Sequence, residues 1–177
     1  MAEASIEKKS AGFEFLVGKF GALTETPSLP DICGWLAEAE VTPEEVAPYR
    51  TFSTERYTRN RVFRNEFVEL LVLGWVPGQA SMIHDHDGSH GVVRVFEGRM
   101  AETKYRRDEE GKIRPAARIE AAPGMLASVG EPDIHLLESL ESEDGRNAIT
   151  FHVYAPPLKG LHVFEVGRAE SEYYSLD

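Results

Sequence analysis

The chain has 177 residues, 42% of them apolar and 28% charged, the balance expected of one soluble globular domain with a single sizeable core. Thirty acidic residues against nineteen basic ones give a formal net charge of −11, which excludes nucleic acid or an anionic membrane as the main partner. Cys33 is the sole cysteine, so an internal disulfide and a cysteine-rich metal site are both excluded. No apolar run is long enough to span a bilayer and MAEASIEKKS lacks the apolar core of a signal peptide, so the expected location is cytoplasmic, with no membrane partner.

Residues 1–50 read as helical and are expected to pack on the strands that follow. Phe13, Leu16, Val17 and Phe20 recur at i, i+3, i+4 and i+7, one apolar helix face ending near Gly21. Ile32, Leu36 and Ala39 suggest a second short helix after Pro30. Thr42-Pro43-Glu44-Glu45 has the form of a capping box with proline at the first helical position, and Pro48 limits that helix to about one turn.

From residue 51 the period becomes that of strands. Tyr57–Phe63, Glu66–Val76, Met82–Asp87, Val92–Glu97 and Ala101–Tyr105 are separated by Arg64-Asn65, Pro77-Gly78 and Gly98-Arg99. After the polar turn Asp108-Glu109-Glu110-Gly111 come Ile113–Ala121, Met125–Val129 and Ile134–Ser139, punctuated by Pro123-Gly124 and Gly130-Glu131-Pro132-Asp133. The polar loop Glu141–Arg146 leads to Ala148–Ala155, and Leu161–Val166 is the last expected strand, with a polar, loosely packed tail over 167–177. Short strands spaced by turns predict a mainly β sandwich or barrel over 51–166, in a single domain covering 1–177.

His84 and His86 are separated by one residue, and on an extended strand i and i+2 project from one face, so both imidazoles can reach one ion. Imidazole suits zinc, copper, iron and nickel, so ligand type alone does not choose the metal. Gly78 stands six residues ahead of His84 and Gly98 closes the following strand, the frame of the first half of a cupin metal motif. The acidic ligand that usually follows is missing, and His90 and Gly91 stand in its place; Asp85 and Asp87 could substitute only by breaking strand parity. Three neutral histidines would leave about two positive charges on a divalent ion, a match for a substrate that brings an anionic ligand such as a thiolate. His135 can supply the third from a later strand, although alone it reads equally as a histidine satisfied by backbone.

Thr150, His152 and Tyr154 share one face of a strand, with Phe151 and Val153 on the other. The pattern fits either a solvent-facing strand or a hydroxyl–imidazole–phenol row lining a cavity. Tyr57 and Arg59 repeat the parity: an inward arginine needs an anion, for which its planar fork suits a carboxylate, whereas an arginine at the rim needs only solvent or an acidic neighbour.

Taken together, Tyr57-Thr-Arg59-Asn60, Gly74-Trp75, Ile83-His84-Asp-His86, Ser89-His90, His135 and Thr150-Phe-His152-Val-Tyr154-Ala-Pro156-Pro157 resemble the cysteine dioxygenase family of thiol dioxygenases, in order from about residue 52 to 166. The resemblance implies a small cupin barrel (jelly roll) with N-terminal helices, and Fe(2+) held by His84, His86 and His135. It implies that L-cysteine is oxidised by O2 to cysteine sulfinic acid, with Arg59 and Tyr57 taking the substrate carboxylate. Thr150, His152 and Tyr154 match the family's serine–histidine–tyrosine row, with threonine for serine, and Ala155-Pro156 falls where the family has a cis peptide. His90 is expected to support the metal ligands, since metal-bound histidines commonly have hydrogen-bonded neighbours. Monomers or weak homo-oligomers are expected.

Two departures bear on chemistry. Gly91 stands where animal members carry a cysteine crosslinked to the tyrosine, so Tyr154 should be free, as in bacterial members. A sister group preferring 3-mercaptopropionate has glutamine at the position of Arg59 and arginine at that of Leu161; this chain keeps the cysteine-type pair. The alternatives are a 3-mercaptopropionate or other small-thiol dioxygenase, a non-catalytic metal-binding cupin, and a zinc or manganese cupin isomerase.

Overall fold

The structure, a computed structural model, describes residues 12–129, 134–142 and 144–176. The turn expected at Gly130-Glu131-Pro132-Asp133 lies outside these residues, as do residues 1–11 and Asp177. Three helices come first. In α1 (Gly12–Gly21) Phe13, Leu16 and Phe20 are buried and Val17 is half-buried at the flank. α2 (Leu29–Glu38) starts at Ser28, whose side chain accepts from the Asp31 amide while the Asp31 carboxylate receives the Ser28 N–H. Thr42 and Glu45 cap α3 (Pro43–Val46) in the same reciprocal way, and a 3-10 turn, Ala47–Tyr49, takes over at Pro48. Each such cap contributes about 1 kcal/mol to a helix too short to stand alone.

Among the described residues eleven strands follow: β1 (Thr58–Arg64), β2 (Glu69–Trp75), β3 (Ile83–His84), β4 (His90–Glu97), β5 (Met100–Arg107), β6 (Ile113–Ala121), β7 (Leu126–Val129), β8 (Ile134–Ser139), β9 (Ala148–Ala155), β10 (Gly160–Phe164) and β11 (Ser171–Ser175). They form two antiparallel sheets, one ordered β1-β2-β9-β4-β7 and the other β11-β10-β3-β8-β5-β6. The connection from β4 in one sheet to β5 in the other turns on Gly98, at φ 76° and with Ala148 so close that a Cβ would meet its Cα at 2.6 Å, a position only glycine fills.

Within the five-stranded sheet β2 and β9 are buried along their whole length because both of their faces are covered. Leu70, Val72, Val92, Ile149, Phe151 and Val153 pack against Phe13, Leu16, Phe20, Ile32 and Leu36 of the helices. Residues of opposite parity, Leu71, Leu73, Trp75, Val93 and Val95, turn inward and meet Leu137 of the facing sheet. Each large side chain so buried is worth roughly 1.5–3 kcal/mol relative to exposure. The inward face of β9 is the exception in polarity: it carries Thr150, His152 and Tyr154, all buried. That face is interior, so the solvent-facing reading of the row does not apply.

Two expectations need correcting. The strand expected over Met82–Asp87 is only Ile83–His84, because the chain turns back at His86–Ser89: the Ser89 amide donates to the His86 carbonyl, and Asp87 and Gly88 have φ of 42° and 86°. Positive φ at both central positions is the mark of a tight reversal and cannot continue a strand. The tail, expected to pack loosely, contributes β11, which pairs antiparallel with β10 from Gly160↔Ser175 to Phe164↔Ser171.

Candidate metal centre

His84, His86 and His135 converge inside the barrel, with one ring nitrogen from each lying within 4.8 Å of the others. Their ring centroids are 4.7–5.0 Å apart. His84 ends β3 and is paired in register with His135 on β8. His86 reaches the same point from the reversal that follows rather than from the strand itself, so the two histidines converge through the turn and not through strand parity alone. Asp85 is engaged elsewhere: its Oδ1 accepts from the His162 backbone N–H at 2.9 Å, and the His162 ring lies 3.2 Å from the same carboxylate.

For two of the rings a hydrogen bond marks which nitrogen is left to face the cluster. His84 Nδ1 lies 2.8 Å from the Met82 carbonyl, which can only accept, so Nδ1 carries the hydrogen and Nε2 the lone pair. His135 Nδ1 lies 2.7 Å from Glu102 Oε1, with both residues buried. His135 Nε2 is buried with no hydrogen-bond partner. A buried ring nitrogen without a hydrogen-bond partner is costly unless an ion or a partner meets it. Burial, and after it the charge of neighbouring His135, pushes His84 down to about 4 and His86 to about 2, so both are neutral at physiological pH and able to act as ligands. Three imidazoles converging on one point, one of them with an unpartnered buried nitrogen, fit a divalent transition metal.

Glu102 was invisible to sequence reasoning. Burial pushes its carboxyl up, but the His135 hydrogen bond and charge and the Lys104 charge outweigh this and hold it below its ordinary value. Its sequence signal is only an acidic residue sharing strand parity with buried Met100, and nothing in the pattern reveals that β5 lies beside β8.

Beside the three rings lies a narrow cavity of about 20 Å³, whose walls include Tyr57, Arg59, His84, His152, Tyr154 and Leu161. Tyr57 stacks on Trp75 with ring centroids 4.2 Å apart. Arg59, on β1, shares the parity of Tyr57 and borders this cavity, but it is an exposed residue, so it stands at the cavity's solvent-facing edge. A roomier apolar cavity of about 220 Å³ includes Val93, Met100, Glu102 and Leu137 in its walls; it shares Leu137 with the narrow one but is lined by none of the histidines or Arg59. The chemistry-bearing residues therefore mark the smaller cavity.

The row on β9 is continuous. Trp75 Nε1–H donates to Thr150 Oγ1 at 2.9 Å, Thr150 Oγ1 lies 2.8 Å from His152 Nε2, and His152 Nδ1 lies 3.0 Å from the Tyr154 hydroxyl. Indole is a donor only, so every group is satisfied when Thr150 donates to Nε2 and Nδ1–H donates to the tyrosine oxygen. That leaves the Tyr154 O–H free to donate elsewhere. Burial holds His152 well below its ordinary value and therefore neutral, and pushes Tyr154 up to about 12. The Tyr154 ring is 5.4 Å from that of His86, and its edge packs on Gly91, where a Cβ would stand 2.9 Å from Tyr154 Cδ1. Gly91 carries no side chain to crosslink, and Ala155-Pro156 is cis.

His90 does not support the metal ligands. It has the outward parity of β4 and its Nε2 lies 2.7 Å from the Pro27 carbonyl, tying the sheet to the loop before α2.

No helix among the described residues is long and apolar enough to cross a membrane. The family model for cysteine dioxygenase type I matches residues 31–167. Cysteine dioxygenase type 1 of Homo sapiens is 31% identical over 133 residues, covering 71% of this chain and 64% of that protein, and the Bos taurus protein is 30% identical over 131 residues with the same coverage. The match thus spans just under two thirds of the length of these curated relatives. A conserved Klebsiella pneumoniae protein with a double-stranded β-helix domain superposes with a TM-score of 0.52 at 20% identity, over 68% of this chain and 94% of that one, which shows the double-stranded β-helix fold. On the extent of the family match, this chain is a member of the cysteine dioxygenase type I family, built on the cupin fold.

Proposed function

We propose that this protein is an iron-dependent dioxygenase of small carboxylated thiols, with L-cysteine as substrate and cysteine sulfinic acid as product. The observation that carries the reading is the narrow cavity that brings Arg59 and Tyr57 to one wall and His84 and Tyr154 to others. His84, His86 and His135 would hold the iron. When bound, the ion supplies the Lewis acidity that makes a thiol a thiolate at neutral pH and the electrons that activate dioxygen.

The remaining work falls to the side chains. Arg59 takes the carboxylate through its planar fork, with the Tyr57 phenol beside it, and Trp75 holds the Tyr57 ring by stacking. Fixing the far end of the substrate aligns its sulfur with the metal ligands, and alignment of this kind lowers a barrier without new chemistry. Tyr154, kept protonated by burial and held by His152, presents its O–H to the cavity as a hydrogen-bond donor. Leu161 closes the cavity with an apolar surface and adds no second cation, which favours a substrate whose only anion apart from sulfur is one carboxylate.

The test is anaerobic loading with ferrous iron followed by oxygen uptake with L-cysteine and, separately, 3-mercaptopropionate, with the sulfinate read by mass spectrometry. Sulfinate chiefly from cysteine supports the proposal. Preference for 3-mercaptopropionate overturns the substrate and leaves the reaction class, and no uptake at full iron occupancy favours a binding cupin.

A further inference from the structure

We propose that Glu102 is a positioning residue for the metal, acting through His135: it orients the ring and lends the site the negative charge that its ligand set lacks. This rests on the reading of His84, His86 and His135 as metal ligands.

The placement follows from register. β5 and β8 are antiparallel, with Lys104 opposite His135 and Glu102 opposite Leu137. Glu102 and His135 are therefore diagonal neighbours on the inward face, a separation a long side chain can close. It does so: Glu102 Oε1 and His135 Nδ1 are 2.7 Å apart, at 6% and 1% exposure. His135 Nε2, across the ring, is the buried nitrogen without a partner. A carboxylate, an imidazole and an unmatched lone pair in series form the arrangement in which an outer carboxylate fixes the tautomer and raises the basicity of a ligand.

A neutral acceptor would suffice to fix the tautomer. His84 shows this in the same site, since its Nδ1 meets the Met82 carbonyl at 2.8 Å. Burying a carboxylate costs several kcal/mol more than using a backbone carbonyl, so the charge itself needs a reason. The ligand set supplies one. Three neutral imidazoles leave a divalent ion's charge untouched, whereas the usual cupin set includes a carboxylate. Glu102 restores that charge one residue removed from the ion, leaving the ion's own positions for substrate. The cavity that Glu102 borders is lined mostly by apolar residues such as Val93, Met100 and Leu137, with Lys104 its one cation among the described residues, so the Glu102 charge is screened less than in water and offset in part by Lys104.

The test compares wild type with Glu102→Gln and Glu102→Leu by anaerobic titration with ferrous iron, and measures the reduction potential of the bound ion. Glutamine keeps an acceptor but removes the charge; leucine removes both. The expected results are an iron affinity lowered roughly 10- to 100-fold in Glu102→Gln, with a more positive potential, and a further loss in Glu102→Leu. A merely structural glutamate would lower thermal stability and leave the potential where it was. Wild-type affinity and potential in Glu102→Gln overturn the inference even if Glu102→Leu fails to fold. Failure of the wild type to bind iron overturns the metal-site reading first, and this one with it.

Discussion

His90 and Gly91 are adjacent on β4 yet serve opposite layers: the His90 ring bonds the Pro27 carbonyl at 2.7 Å on the helical side, while Gly91 lies against the Tyr154 ring inside. His90→Ala should therefore cost about 1 kcal/mol of stability, one hydrogen bond, and leave iron affinity unchanged. Gly91→Ala should do more harm, because its new methyl would stand 2.9 Å from Tyr154 Cδ1 and 3.0 Å from the Val153 carbonyl. Overpacking of that kind costs about 1–3 kcal/mol and would push the Tyr154 ring away from His152. Chemical denaturation of the two variants, with iron titrations alongside, checks both.

Metal binding should be legible as stability. An ion that binds only the folded chain adds about 2.7 kcal/mol when its concentration is a hundred times Kd, which for a domain of this size raises Tm by roughly 5–10 °C. Anaerobic ferrous iron should produce that rise in the wild type, and a chelator should reverse it. His84→Ala, His86→Ala and His135→Ala should each abolish it. A rise that survives any one of them would remove that residue from the ligand set.

Arg59 tests the substrate end. A charge-assisted hydrogen bond is worth about 1.5–3 kcal/mol, so Arg59→Ala should lower kcat/KM for L-cysteine on the order of 10- to 100-fold. The same change should barely affect cysteamine, which has the thiol and the amine but no carboxylate. Steady-state oxygen uptake with the two thiols gives the comparison directly, and equal losses on both would show that Arg59 acts on folding or on the metal instead.

Much of this arrangement could be read from the chain, for identifiable reasons. Strands buried on one face or both announce themselves by period and composition, β2 by its unbroken apolar run Leu70-Leu71-Val72-Leu73 and β9 by Phe151 and Val153 alternating with Thr150, His152 and Tyr154. β11 could not announce itself, since all five of its residues are exposed and neither face selects apolar side chains. The histidine cluster is visible in the sequence because His84 and His86 are close in it. Strand parity accounts for only part of their convergence, because the reversal at Asp87-Gly88 aims His86. Pairings across the fold leave no local trace: Glu102 with His135, Trp75 with Thr150 and His90 with Pro27 all depend on which strand or loop lies beside which. The inward side of β9 was ambiguous for the same reason, and only the helices covering Ile149, Phe151 and Val153 resolve it.

Tyr154 provides a prediction with a definite sign. An exposed tyrosine ionises near 10, whereas burial holds Tyr154 at about 12 in the folded protein. Between those values the unfolded chain has released the proton that the folded chain still holds. The stability contributed by the neutral phenol is thus complete below pH 10 and lost as the pH rises through about 12. The loss should amount to about 1–3 kcal/mol. Measured against Tyr154→Phe, which carries the same packing without the titrating group, the wild type's relative stability should be flat from pH 7 to about pH 9.5 and then decline. The unpaired His152 Nδ1–H in that variant adds a constant offset, because His152 stays neutral throughout this range. Urea denaturation of both proteins at about pH 9 and pH 11 suffices. A relative stability that is equal at the two pH values would mean that Tyr154 ionises as readily in the folded chain as in water, and that its hydroxyl is solvated and not held by His152.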